Sequence, residues 1–153
     1  SYNITFQTLL GLDYMLLKPY YVWGFIMKTE RLISSYDEIN DTFVGKIDGM
    51  NRYCADYSIS DGIFLAIDKD NVPCSVFVEG ASDVFNVSKS MMENANVKIA
   101  IDCDSLFLSF IVFIEDLKIC SIISENRYGI PKLNFLMDTN YWIGIPLNFL
   151  IYL

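Results

Sequence analysis

The stretch VKIAIDCDSLFLSFIVFIEDLKICSIIS, residues 97–124, decides the fold. It divides into three β-rich runs, VKIAID, SLFLSFIVFIED and LKICSIIS, with Glu115-Asp116 as the second turn. Runs this close together favour antiparallel pairing, because a parallel partner needs a long crossover. The middle run, Ser105 to Ile114, shows no polar alternation. That pattern fits a strand covered on both faces, or one in an interface.

Working outward, GIFLAIDKDNVPCSVFVEG (62–80) reads as a hairpin: two β-forming runs flank DKDNVP, whose Asp, Asn and Pro suit a turn. Residues 82–96 predict the best helix, with Ser82 or Asp83 as cap and Val84, Val87, Met91 and Met92 on one stripe. Residues 29–39 predict a short helix capped by Thr29, with Leu32, Ile33 and Tyr36 as its stripe. Strands are expected over 2–10, 20–28, TFVGKI (42–47), PKLNFLMD (131–138) and the uncharged ending YWIGIPLNFLIYL (141–153). Asp48 to Asp61 reads as a polar stretch broken by Gly49 and Asn51, and 124–131 as a polar turn. The whole predicts an α+β fold. It would be one mainly antiparallel sheet of about six to nine strands, with one or two helices on a face. At 153 residues a single globular domain over 1–153 is expected.

The apolar ending is too short for a membrane helix and contains Pro146. Ser105 to Ile114 stops at two acids, and the start lacks a basic segment and meets Asp13 early. The four cysteines show no CxxC spacing, and Cys74, Cys103 and Cys120 lie in apolar runs, which suits buried free thiols. A cytoplasmic protein with reduced thiols, away from membranes, is the expectation.

Catalytic signatures are missing. There is no histidine, which removes Ser-His-Asp and Cys-His machinery. Glycine-rich phosphate loops and HExxH are absent. Asp68, Asp70 and Glu79 fall at positions 1, 3 and 12 of a calcium-type loop, but Val72 and Pro73 occupy its fifth and sixth positions. A hairpin turn is the better reading. Asp102 and Asp104 could clamp a metal from one strand face, but they end a strand, where Asp serves turns. The sequence therefore predicts no enzyme, no cofactor and no metal.

Charge is the sharper signal. Nineteen acids face eleven bases, a net charge of −8. Nucleic-acid binding needs a basic patch, and here the bases are scattered singly. From Asp37 to Asp70 eight acids face three bases, so −5 of the net charge falls in this stretch, with tyrosines interleaved. Tyrosine and acid together suit a face for a basic protein. The candidate partner-binding residues are Tyr36, Asp37, Glu38, Asp41, Asp48, Tyr53, Asp56, Tyr57 and Asp61. The leading expectation is a small acidic binding module, most concretely an immunity protein or inhibitor that neutralises a basic toxin or nuclease domain. Rivals are a secretion chaperone, an anti-defence inhibitor, a subunit of a larger assembly, and a carboxylate- or metal-dependent enzyme.

Overall fold

A computed structural model describes residues 28–49 and 53–141. The strands expected over 2–10, most of 20–28 and nearly all of the apolar ending fall outside those residues. Nine strands follow one another: β1 (Lys28–Asp37), β2 (Thr42–Ile47), β3 (Ala55–Ser60), β4 (Ile63–Ile67), β5 (Pro73–Glu79), β6 (Val97–Cys103), β7 (Phe107–Ile114), β8 (Leu117–Glu125) and β9 (Leu133–Asp138). They form one sheet in the order β3-β4-β5-β2-β1-β9-β6-β7-β8. Every pairing is antiparallel except β1 with β9. The sheet curls until it is nearly a closed barrel. Its two outer strands are drawn together by Tyr128, from the segment after β8. The Tyr128 hydroxyl donates to the Ser58 carbonyl of β3 at 2.6 Å, and its ring stacks on Tyr57 at 4.6 Å between centroids.

The core follows from alternation. Leu32, Phe43, Leu65, Val76, Val78, Ile99, Ile101, Phe110 and Val112 point inward and form one apolar cluster. Each buried large side chain contributes about 1.5–3 kcal/mol by leaving water. The unalternating β7 is buried on both faces: Ile111 and Phe113, which point away from Phe110 and Val112, are buried as well. The hairpin at 62–80 forms as expected from β4 and β5. Gly62, just before it, sits at φ +79, and a Cβ there would meet the Glu79 carbonyl oxygen at 2.8 Å. Only glycine closes that turn without strain.

Three expectations need correction. Strands take 58% of the structure, and the two helices seen, α1 (Ala81–Phe85) and α2 (Lys89–Met92), have 5 and 4 residues, so the class is mainly β rather than α+β. The helix expected over 29–39 is strand β1. Leu32 and Tyr36 are four apart, a spacing that serves a helical stripe and one strand face alike, while Ile33 points to the other face and is exposed. The polar stretch 48–61 contains β3, an outer strand whose only buried residue is Ile59. Its polarity reflects that position in the sheet.

The 82–96 helix splits in two. Asn86 adopts the left-handed conformation at φ 53 and stops α1, and Ser88 then caps α2 by accepting from the Met91 amide. Gly80, without a side-chain cap, precedes α1. Met92 is buried, Val84 and Val87 pack on the core, and Met91 is exposed.

Candidate functional site

The β1–β2 turn holds itself together with its own acids. The Asp37 carboxylate accepts from the Ile39 amide (2.9 Å), the Asn40 amide (3.2 Å) and the Asn40 side chain (2.7 Å). Those bonds, the Asn40 side chain first, hold its carboxyl below the usual range. Asp41, left-handed at φ 52, reaches across to α1. Its carboxylate accepts from the Tyr36 hydroxyl (2.7 Å), the Ser82 amide (3.0 Å) and the Ser82 hydroxyl (2.7 Å). Desolvation works to raise the Asp41 carboxyl, but the bonds from Tyr36 and Ser82 outweigh it and the net shift is downward. Tyr36 is pushed up to about 12 by desolvation and by its bond to Asp41.

Glu38 is different. Its backbone carbonyl accepts from Lys89 Nζ of α2 at 3.3 Å, which brings α2 against the turn. Its carboxyl lies beside that of Glu93, which is raised by hydrogen bonding with Glu38 and by the Glu38 charge. Among the described residues the ion pairs are Lys28–Glu30, Arg31–Asp48 and Lys98–Asp116, and neither Glu38 nor Glu93 takes part. Two adjacent carboxyls without a cation are a place where a cation gains.

Glu93 also lines a cleft of about 370 Å³ together with Ser34, Ser35, Tyr36, Phe43 and Ala95. Its origin is in the sheet. β9 pairs with β1 only from Lys28 to Arg31 and ends at Asp138, whereas β1 runs on to Asp37. A second cavity, about 420 Å³, opens at the opposite end of the sheet among Lys28, Glu30, Ile47, Pro73, Lys132 and Phe135.

The nine candidate residues therefore do not form one face. Tyr36, Asp37, Glu38 and Asp41 gather at the β1–β2 turn, and of these Tyr36 lines the cleft. Asp48 lies at the far end of β2, paired with Arg31 at 3.4 Å. Tyr53, exposed, donates to Asp56 at 3.0 Å, and Tyr57 is engaged with Tyr128. Asp61 occupies the β3–β4 turn. Glu93 was not among the candidates. It stands far along the chain from residue 38, and only the docking of α2 brings the two together.

The other acidic motifs serve turns. Asp68 Oδ1 accepts from the amides of Asp70 (2.8 Å) and Val72 (3.0 Å) inside the β4–β5 hairpin. Asp104 Oδ1 accepts from those of Leu106 (2.8 Å) and Phe107 (2.7 Å) before β7. No group of three or more His, Cys, Asp or Glu residues is arranged to hold a metal among the described residues. All four cysteines are free; Cys54 is exposed, Cys74 and Cys103 are buried, and burial pushes the Cys103 thiol up to about 12. No helix among the described residues is long and apolar enough to cross a membrane.

Asp102 is buried on β6 opposite Asn134 of β9, and its Oδ2 and both polar atoms of Asn134 have no hydrogen-bond partner among the described residues. Burial pushes this carboxyl up from 3.8 to about 6, the charge of Asp104 adding and that of Lys132 opposing. The folded protein holds this proton to higher pH than the unfolded chain does. Stability is therefore expected to fall as pH rises from 3.8 to about 6 and then level off. The loss is about 2 kcal/mol after allowance for residual solvent screening. Asp102→Asn should abolish that fall and melt higher than the wild type at pH 7.5. Denaturant titrations of both proteins across this range are the check, and parallel pH curves would contradict it.

Compared with known proteins, the chain matches no family model, no curated protein and no solved structure.

Proposed function

We propose that this protein is a small acidic binding module whose partner is a basic protein, most concretely an immunity protein or inhibitor that holds a basic toxin inactive in the cytosol of the producing cell. The observation that carries the reading is the docking of α2 on the acidic β1–β2 turn through the Lys89 bond to the Glu38 carbonyl, which brings Glu93 toward Glu38 while neither carboxyl joins an ion pair among the described residues. A lysine or arginine arriving there relieves the repulsion between the two carboxyls. Asp37 and Asp41, committed to the turn, add long-range field and shape rather than direct contact. The net charge of −8 speeds encounter with a cationic surface over about 8 Å at physiological salt. Free thiols suit a reducing compartment.

The test is capture of the partner from the native host, followed by affinities of Glu38→Lys/Glu93→Lys and of Asp61→Lys. The double reversal should weaken binding by about 100-fold at low salt, less at high salt, through slower association if the carboxyls stay at the rim. Asp61→Lys should change affinity by less than about threefold. An acidic partner, or equal affinity in wild type and double variant, would contradict the reading.

A further inference from the structure

The second cavity lies at the end of β1 away from the β1–β2 turn, and strand register explains it. β2 ends at Ile47, opposite Leu32, so Lys28 to Arg31 of β1 run past its end. β5, the neighbour of β2 on its other side, begins at Pro73 and pairs with β2 from Ser75 onward. β9 begins at Leu133. The starts of β1, β5 and β9 stand around the end of β2, and about 420 Å³ opens among them.

Alternation decides what lines this space. Leu32 points into the core, so Lys28 and Glu30, four and two residues before it, share its face. Ile47, Leu133 and Phe135 also belong to the core side. The walls are mostly apolar, supplied by Ile47, Val72, Pro73, Pro131, Leu133 and Phe135. Three charged residues, Lys28, Glu30 and Lys132, join the lining. Lys28 and Glu30 satisfy each other, with Nζ 2.9 Å from Oε1. Lys132 is exposed and takes part in no ion pair among the described residues, although its charge acts on Asp102. Two lysines against one glutamate leave the lining positive, in a chain whose net charge is −8.

We propose that this cavity binds a small amphipathic carboxylate, an aliphatic or aromatic acid whose apolar body packs on Ile47, Pro73, Leu133 and Phe135 and whose carboxylate meets Lys132. Apolar walls with a few polar groups are the ordinary form of a small-molecule site, and the mouth of a β-barrel is a common place for one. A cation is disfavoured, because Glu30 is already engaged and both lysines repel it. A wholly polar ligand is disfavoured, because its groups would lose water against walls that offer no partner. The site goes beyond the proposed function and is independent of it. The acidic turn lies at the other end of β1, so failure of either reading leaves the other standing.

Decanoate and 4-phenylbutyrate are the probes, with acetate and decylammonium as companions. Methyl-resolved NMR reads the site directly. Both probes should shift the methyl signals of Ile47, Val72 and Leu133 in a saturable way. Those of Met92 and Ala95, which line the other cleft, should stay in place. At the cavity methyls acetate, which lacks the apolar body, and decylammonium, which inverts the charge, should each bind at least about tenfold more weakly than decanoate. Lys132→Glu should weaken decanoate at least about tenfold, and the exposure of Lys132 leaves the fold intact. Lys118→Glu makes the same change in net charge on β8, away from the cavity, and should alter affinity by less than about twofold.

No saturable binding by either acid, or shifts confined to methyls outside the cavity, would overturn the proposal. Equal binding of decanoate and decylammonium at the cavity would overturn the choice of an anion. Equal affinities of the wild type, Lys132→Glu and Lys118→Glu, or equal losses in the two variants, would overturn the assignment of the carboxylate to Lys132.

Discussion

Phe110→Ala is expected to destabilise the protein by about 3–5 kcal/mol. Phe110 is 0% exposed, in the middle of β7, opposite Ile101 of β6 and Ile122 of β8. Truncation loses the transfer energy of a whole ring and leaves a void that two paired strands cannot close, because their registers are fixed. For a chain of this length each kcal/mol lowers the melting temperature by about 2–4 °C, so a fall of about 10 °C or more is expected. Leu117→Ala is the contrast. Leu117 is 60% exposed beside the β7–β8 turn and should cost less than about 0.5 kcal/mol. Thermal melts of the two variants are the check. A Phe110→Ala protein that melts with the wild type would place β7 outside the core.

Asp41→Ala should be nearly as costly, at about 2–4 kcal/mol. It removes the acceptor of three hydrogen bonds, from Tyr36 and twice from Ser82, and leaves those donors without it. It also places alanine at φ 52, where asparagine and aspartate are better tolerated. Asp41→Asn should recover most of the loss, since it keeps the left-handed preference and an acceptor oxygen. Because the wild-type carboxyl is held low, its contribution is present above its unfolded pKa and is lost as pH falls through the lower folded value. Chemical denaturation of Ala, Asn and wild-type proteins at neutral and acid pH reads this directly. Equal stability of all three would mean that the tie between the turn and α1 carries no energy.

That tie shows where reading acids along a chain reaches its limit. Counting charge singled out residues 37–70 correctly as the acidic part of the sequence. It could not distinguish Asp37 and Asp41, whose oxygens are spent on local amides and on Ser82, from Glu38, whose carboxyl is not. Reversing all three to lysine, a natural test of an exposed acidic strip, would damage the turn as well as any interface. Glu93 carried no local signal at all; its role depends on where α2 docks.

The sheet was more legible. β4 through β9 lie where turn residues and β-rich runs put them, since each hairpin is a local decision. β1 and β3 were harder for opposite reasons. In β1 the apolar spacing satisfied two periodicities, and only the β1–β2 pairing chose between them. In β3 a position beside solvent left too few apolar residues to show a period. Near-closure of the barrel also left no local trace, because it depends on Tyr128 meeting Tyr57 and Ser58 far along the chain.

Association rates of the captured basic partner with the wild type and with Glu38→Lys/Glu93→Lys, measured at two salt concentrations, test the central claim most directly. The double reversal should slow association by about 100-fold at low salt and by less at high salt. Equal rates in the two proteins at both salt concentrations would contradict it and place the interface away from the β1–β2 turn.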